Sequence, residues 1–230
     1  MKKDRYNKAK KIISLIDHHH KADLSLKTCL DIGCSSGEIT EYLGNYFYKI
    51  VGIDIDKEAI TDNKSQKSQS YVLGNSSHLP FEKHKFDYII CSQVYEHVES
   101  QSALVHEIKR LLKPEGVCFF SGPNKYSIVE EHYWLPFLSW FPKFLSNYYM
   151  RLFKKGKIYD INPLSYKKLL DLLKDFTIHD YTLTLIKNPE KFFLSDYKIF
   201  HFLSKFPNFL LLKLKIFVPN FNLILELRDE

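Results

Sequence analysis

Two groups of residues in this chain are of types, and at spacings, that could do chemistry. The first is the run Leu30-Asp31-Ile32-Gly33-Cys34-Ser35-Ser36-Gly37-Glu38, where an acid inside an apolar stretch is followed at once by a loop of small residues. Small residues let a ligand approach the backbone, and a helix starting there turns its first N–H groups toward that ligand. The chemistry on offer is retention of a nucleotide-like cofactor. A plain strand-to-helix turn, with Gly33 serving only as its bend, accounts for the same letters. The second group is Glu96-His97, together with His132 further on. An imidazole beside a carboxylate can take a proton from a hydroxyl near neutral pH, the work of a general base. Glu96 and His97 could equally just begin a helix.

Both groups need elements that bring them together. Thr28 to Ile32 reads as a strand, and Ile39, Tyr42, Leu43, Tyr46 and Phe47 have the spacing of one helical face. Lys49 to Ile53 is a second strand, closed by Asp54-Ile55-Asp56 and followed by a helix from Lys57 to Gln66. Ser70 to Leu73 is a third, leading into the polar turn Gly74-Asn75-Ser76-Ser77. Phe86 to Cys91 is a fourth, a nearly continuous apolar run of the kind a sheet covered on both faces requires. A helix carrying Leu104, Ile108, Leu111 and Leu112 ends at Lys113-Pro114-Glu115-Gly116. Val117 to Ser121 is a fifth strand, ending in Gly122-Pro123-Asn124. Alternating strands and helices imply right-handed crossovers and a parallel sheet with a crevice at its carboxyl edge. Asp54 stands where an acid can accept hydrogen bonds from a ribose diol, whereas Asp56 reads as the cap of the next helix.

Past Asn124 the sheet pattern stops, and residues 125–161 form an insertion. A helix is expected after Ser165 as N-cap, with Leu164 and Leu169 as a staple, running through Leu170, Leu173 and Phe176. Thr177 to Ile186 alternates as a strand. After a second insertion, residues 187–215, a last strand carries Phe221, Leu223, Leu225 and Leu227 and pairs antiparallel with it.

Composition bounds the function classes. The 230 residues, with 45% hydrophobic and 26% charged content, suit one globular domain spanning residues 1–230. A net charge of +6 is read as a lysine-rich solvated surface rather than a nucleic-acid interface. Cys29, Cys34, Cys91 and Cys118 lack CxxC pairing and lie in or beside apolar runs, which points to reduced thiols and a cytoplasmic location. The N-terminus is charged and continues into an amphipathic helix, unlike a signal peptide, and no apolar run reaches the ~18 residues of a membrane span. His18-His19-His20 occupies consecutive helical positions that point three ways, so it reads as a solvated helix end and no metal is expected.

The series LDIGCSSG, VGIDID, GNSSHLPF, FDYIICSQVYEHV and LLKPEGVCFFSGPN resembles the class I S-adenosylmethionine (SAM)-dependent methyltransferases. The resemblance is to the small-molecule group in which an LPF element precedes a strand beginning FD. It covers residues 28–124 closely and 162–176 loosely. It implies an α/β Rossmann-like three-layer sandwich: a seven-stranded, mostly parallel sheet with an antiparallel last strand and helical insertions after the fifth and sixth strands. It also implies the cofactor SAM, with S-adenosylhomocysteine (SAH) as product, and a role for each matching position. Asp31 would hold the methionine amino group, Gly33, Cys34, Ser35 and Gly37 would wrap that moiety, and Asp54 would bind the ribose. Ile55 would pack on the adenine, Asn75 and Ser76 would meet its amino edge, and Ser92 and Gln93 would close over the methionyl part. Two positions depart from the family pattern: Ser35 replaces the middle glycine of GxGxG, and Asn75 stands where an acid is usual.

The resemblance implies methyl transfer to a small-molecule, sugar or lipid-like acceptor at oxygen; His97, which follows the fourth strand with Glu96, or His132 of the first insertion would then be the base. The insertions would cap the acceptor, and their aromatic residues beside lysines suit an apolar acceptor or peripheral contact with the inner membrane surface. Two helical pieces that simply bury each other are the alternative for Phe200 to Leu212. Competing functions are a SAM-binding protein without transferase activity and an RNA methyltransferase whose cluster from Lys143 to Lys157 tracks phosphates. A nicotinamide-dependent dehydrogenase needs G-x-G-x-x-G, and the loop offers only Gly33 and Gly37.

Overall fold

The computed structural model describes residues 2–61 and 68–228. An N-terminal helix α1 (Lys2–His19) precedes strand β1 (Thr28–Ile32), helix α2 (Glu38–Leu43), strand β2 (Lys49–Asp54), helix α3 (Lys57–Thr61) and strand β3 (Gln69–Leu73). Strand β4 (Phe86–Ser92), helix α4 (Gln101–Leu111) and strand β5 (Leu112–Pro123) complete the parallel half. The short strands β6 (Val129–Glu130) and β7 (Leu135–Pro136) form a separate hairpin, followed by helix α5 (Lys143–Leu152) and helix α6 (Tyr166–Leu172). Strand β8 (Phe176–Asp180), helices α7 (Thr182–Lys187), α8 (Lys198–Ser204) and α9 (Asn208–Leu214), and strand β9 (Asn220–Leu227) close the chain.

The main sheet has seven strands in the order β3-β2-β1-β4-β5-β9-β8; β1 to β5 run parallel, and β9 is antiparallel to both neighbours. This is the doubly wound sheet with a reversed terminal strand that the sequence leads one to expect. The strands alternate faces, and each face is covered. Cys29, Ile50, Tyr88, Ile90, Phe119 and Ile224 pack with Ala9, Ile12, Leu15 and Ile16 of α1 and with Leu43 of α2. Leu30, Ile53, Ile89, Phe120 and Leu225 meet Leu104, Ile108 and Leu111 of α4 and Leu169 of α6 on the other face. Each buried Leu, Ile or Phe contributes about 1.5–3 kcal/mol through area removed from water, which explains why short strands suffice.

Several element boundaries differ from the sequence reading. Helix α2 stops at Leu43, and Tyr46 and Phe47 follow in a turn. Residues 62–66 of the helix expected to reach Gln66 lie outside the described residues. Strand β5 begins at Leu112, opposite Phe86, so Lys113 to Gly116 lie within its irregular start. Ser165 occupies the N-cap of α6 without a side-chain cap bond, and the helix ends at Leu172, before Leu173 and Phe176. The strand expected over Thr177 to Ile186 ends at Asp180 and becomes α7. The reason is local: Asp180 Oδ1 accepts from Thr182 N at 2.9 Å, and Oδ2 accepts from Tyr166 Oη at 2.7 Å and from Lys215 Nζ at 2.6 Å. A side chain that satisfies the next backbone N–H ends the ladder.

The first insertion is only partly helical. It has its own small core of Leu135, Leu138, Met150, Tyr159 and Ile161. Its two ends are held side by side: Lys125 N donates to Leu164 O at 3.0 Å, Asn162 N to Glu96 O at 2.9 Å, and Leu164 N to Tyr95 Oη at 3.2 Å, while Tyr95 Oη donates to Pro123 O. On its outer side Phe144, Tyr148, Leu152 and Phe153 are exposed. The second insertion wraps the β8 edge of the sheet. Phe192 is buried on the α1 face and Leu211 on the α4 face, whereas Phe202, Phe209 and Leu212 remain exposed. Phe192 and Leu211 thus anchor the insertion to the body, while α8 has no buried residue and α9 has Leu211 alone.

The Leu79-Pro80-Phe81 element is tied down by α4. Glu107 Oε2 accepts from Leu79 N at 2.7 Å, and Arg110 donates to Leu79 O at 3.0 Å, to Phe81 O at 2.7 Å and to both Glu107 oxygens at 2.7 Å. The Arg110 hydrogen bond holds the Glu107 carboxyl below the usual range. Replacing Glu107 by alanine leaves the buried Leu79 N–H without its acceptor and the Arg110 guanidinium without its carboxylate. We expect a loss of about 2–4 kcal/mol in urea denaturation; a loss below about 1 kcal/mol would show that the network is dispensable.

Candidate active site

The crevice is built by three parallel strands that end together. Ile32 at the end of β1 lies opposite Ile53 of β2 and Cys91 of β4. Gly33 turns the chain there with φ +71°, and a Cβ on it would fall 2.5 Å from Val94 Cγ2, so both conformation and space call for glycine. Gly33 N and Cys34 N both donate to Ile53 O, at 2.8 and 3.2 Å, which fastens the loop to β2. Ser35 takes a left-handed backbone, φ +49°, and donates its N–H to Asp54 Oδ2 at 2.7 Å. The serine thus adopts the conformation a glycine would, with Asp54 supporting it.

Other crevice residues divide by what their side chains reach. Asp31 is buried, accepts from Thr40 Oγ1 at 2.6 Å, and has its carboxyl pushed up to about 7; burial is the main cause, opposed by the Thr40 bond. Arg5 of α1 acts on it from a distance in the opposite sense. The Cys34 thiol is buried beneath the loop, against Gly52, and burial pushes its pKa up, so the residue offers the crevice backbone and not sulfur. Asp54 Oδ1 accepts from Asp56 N at 2.9 Å, and Asp56 caps α3 by accepting from Glu58 N and Ala59 N. Ile55, beside Asp54, is 71% exposed. Asn75 is exposed next to half-buried Ser76, and its Oδ1 accepts from Ser77 N at 2.8 Å. Ser92 Oγ lies 3.0 Å from Ser121 Oγ. Gln93, with φ +60°, donates from Nε2 to Asn220 Oδ1 at 2.9 Å.

At the same strand edge, beyond β4, the acid–imidazole group assembles. His97 and His132 meet edge to face, their ring centroids 5.1 Å apart, although one follows β4 and the other comes from the first insertion. His132 Nδ1 lies 2.7 Å from Glu130 Oε1, a bond that holds Nδ1–H on the carboxylate and leaves Nε2 outward. That bond raises the His132 pKa against the opposing effect of burial. Burial, then the charge of His132, lowers that of His97. Glu96 is wholly buried, neither carboxyl oxygen has a hydrogen-bond partner, and burial pushes its pKa up to about 7. Its Oε1 stands 3.8 Å from His97 Nε2. A cavity of about 430 Å³ lies between the segment after His97 and the first insertion, lined by Val98, Lys125, Phe141, Tyr159 and Asn162 and by none of Glu96, His97, Glu130 and His132.

The structure therefore brings the glycine loop, Asp54, Gln93, Glu96, His97 and His132 to one edge. Sequence reasoning missed Glu130 as the partner of His132; its i, i+2 offset from the histidine is a weak signal without the turn in which it also accepts from His132 N and Tyr133 N. Of the basic cluster, Lys143 donates to Tyr159 O and Ile161 O at 2.9 and 2.5 Å and Arg151 to Lys157 O at 3.2 Å, which gives both a place inside the insertion.

Residues 30–120 match the family described as "Methyltransferase domain". Two relatives named ubiquinone biosynthesis O-methyltransferase are similar to the chain. The protein from Paraburkholderia phytofirmans is 34% identical over 116 residues, 48% of this chain and 49% of its own. That from Pseudoalteromonas translucida is 30% identical over 105 residues, 43% of this chain and 44% of its own. The chain thus spans about half the length of these curated relatives. A crystal structure of the plantazolicin methyltransferase BpumL, in complex with a monoazolic desmethylPZN analog and SAH, aligns with 98% of this chain and 84% of that one (TM-score 0.61, 18% identity). The chain shares its fold with that methyltransferase. Within residues 30–120 two loop positions should respond oppositely. Gly33→Ala meets both a left-handed backbone and Val94, and should cost about 2–4 kcal/mol. Ser35→Gly should change stability by less than about 1 kcal/mol, because glycine suits the same φ. Equal losses in chemical denaturation would contradict this reading of the loop.

Proposed function

We propose that the chain transfers a methyl group from SAM to a hydroxyl oxygen of a small apolar molecule. The observation that carries the reading is the Glu130-oriented His132, with buried Glu96, at the strand edge that also bears the glycine loop. The two O-methyltransferase relatives support oxygen as the acceptor atom. The residues present fit the cofactor: a buried acid at Asp31 for an ammonium, a carboxylate at Asp54 for a diol, and the exposed apolar Ile55 for an adenine face. Gly33 to Gly37 would follow the methionine moiety, Asn75 and Ser76 the adenine edge, and Ser92 and Gln93 the side toward the acceptor.

When bound, SAM supplies a methyl group already activated on a sulfonium. The chain is left to orient the acceptor, exclude water and accept a proton. As the acceptor oxygen gains the methyl, its proton passes to His132 Nε2, and the Glu130 carboxylate stabilises the imidazolium. Glu96 and His97 lie close enough to hydrogen-bond the same hydroxyl, and the exposed aromatic residues of the first insertion favour an apolar acceptor.

Calorimetry with SAH tests the cofactor reading. Asp31 pairs with the ligand ammonium only when ionised, so binding should weaken as pH falls through about 7. Asp31→Asn should bind weakly and lose that dependence, and no binding to the wild type at any pH would overturn the assignment.

Single-turnover transfer to a panel of phenolic and lipid-linked hydroxyl acceptors tests the base. His132→Ala should slow the step by about 10²–10⁴. Glu130→Gln removes the charge that raises the His132 pKa, so the acid limb of the rate profile should move to lower pH. Full rates in both His97→Ala and His132→Ala would rule out an imidazole base. SAH binding without transfer to any acceptor would instead favour a SAM-binding protein.

A further inference from the structure

At the opposite edge of the sheet, far from the glycine loop, three side chains from three distant elements converge. They are His19 at the last position of α1, His179 of β8 and Glu226 of β9. His19 Nε2 lies 3.1 Å from Glu226 Oε1, and His179 Nε2 lies 2.8 Å from Glu226 Oε2. The two imidazole rings are 4.7 Å apart, and all three potential ligand atoms fall within 4.8 Å of one another. Of the consecutive histidines His18 to His20, only the middle one turns inward: its side chain is 9% exposed, while His18 and His20 face solvent. The opposite edge follows from the pairing: Glu226 stands beside Val117, where the pairing of β5 with β9 begins, whereas the crevice lies at the other end of that pairing.

We propose that His19, His179 and Glu226 form a site for a divalent first-row transition metal, of which zinc is the representative. The donor set is the reason. Two imidazoles and one carboxylate are a set that zinc takes with a further position left open, and imidazole suits zinc, copper and nickel over magnesium and calcium. In a tetrahedral site with bonds of about 2.0–2.1 Å, neighbouring ligand atoms stand about 3.3 Å apart. The two nitrogen–oxygen separations, 3.1 and 2.8 Å, are close to that spacing, and His179, with 38% of its side chain exposed, has room to close the remainder. His19 has the outer partner that metal-bound histidines require: Nδ1 lies 2.8 Å from Tyr181 Oη, which fixes the ring and leaves Nε2 to the ion. The exposed sides of His179 and Glu226 give the ion an entry path and leave water for the open position.

An ion there would join the N-terminal helix to the reversed C-terminal hairpin. Its effect would be on stability and not on a chemical step.

The test is zinc titration of the metal-free protein at pH 7.5, read by calorimetry and by thermal unfolding. We expect saturable binding of one ion and, at 100-fold excess over Kd, a rise in Tm of about 5–10 °C. Glu226→Gln keeps the side-chain shape and should abolish both effects, as should His179→Ala. His18→Ala/His20→Ala should leave them intact, and so should His132→Ala, which disables the Glu96–His97–His132 group at the other edge. Absence of binding would overturn the proposal, as would binding that survives Glu226→Gln and His179→Ala, or binding that is lost with His132→Ala or with His18→Ala/His20→Ala.

Discussion

Everything at the crevice depends on β1, β2 and β4 ending at one level. In a parallel sheet that alignment is set by register, and here the register of Ile32 with Ile53 and with Cys91 puts three loops at one height. The loop after β1 then has little freedom. Two of its N–H groups bond to the carbonyl of Ile53, the next bonds to Asp54, and Val94 of the β4 loop fills the space that a side chain on Gly33 would need. The left-handed backbone at Gly33, Ser35 and Gly37 follows from this crowding. Ser35 is tolerated because the conformation, and not the absence of a side chain, is what the position demands.

The same crowding sets the electrostatics. Asp31 and Glu96 are buried at opposite sides of the edge, and both have their pKa pushed up to about 7, chiefly by burial. They differ in what relieves them. Asp31 has Thr40 and the distant charge of Arg5, whereas neither oxygen of Glu96 has a partner. A buried carboxyl without a partner costs stability, so the fold carries this cost at the place where a hydroxyl-bearing molecule would supply the missing hydrogen bond.

The parallel half of the fold was legible because a sheet covered on both faces leaves runs such as Phe86 to Cys91 that no surface element would contain. The glycine loop, Asp54 and the Asp56 cap were legible for the same local reason: strand ends are marked by residues that take special backbone or cap helices. What was not legible depended on contacts between distant segments. Asp180 breaks the alternating stretch after Phe176 because Tyr166 and Lys215 reach it from elsewhere. Glu130 becomes a partner of His132 only through the turn that follows β6. His19 is indistinguishable from His18 and His20 until the faces of α1 are assigned by Ile12, Leu15 and Ile16. The second insertion, rich in phenylalanine, reads as a cap by composition; its burial on both sheet faces is a matter of path and not of content.

One detail of the first insertion bears on how such a protein can change over time. Tyr95, Lys125, Asn162 and Leu164 clasp its two ends, and its interior rests on its own cluster of apolar side chains. The clasp fixes the span between the insertion's ends, so residues of its own apolar cluster can be exchanged while the strands and the glycine loop remain undisturbed. Glu131 and His132 are the exception: they reach Asn220 and His97, and so tie that part of the insertion to the residues beneath it.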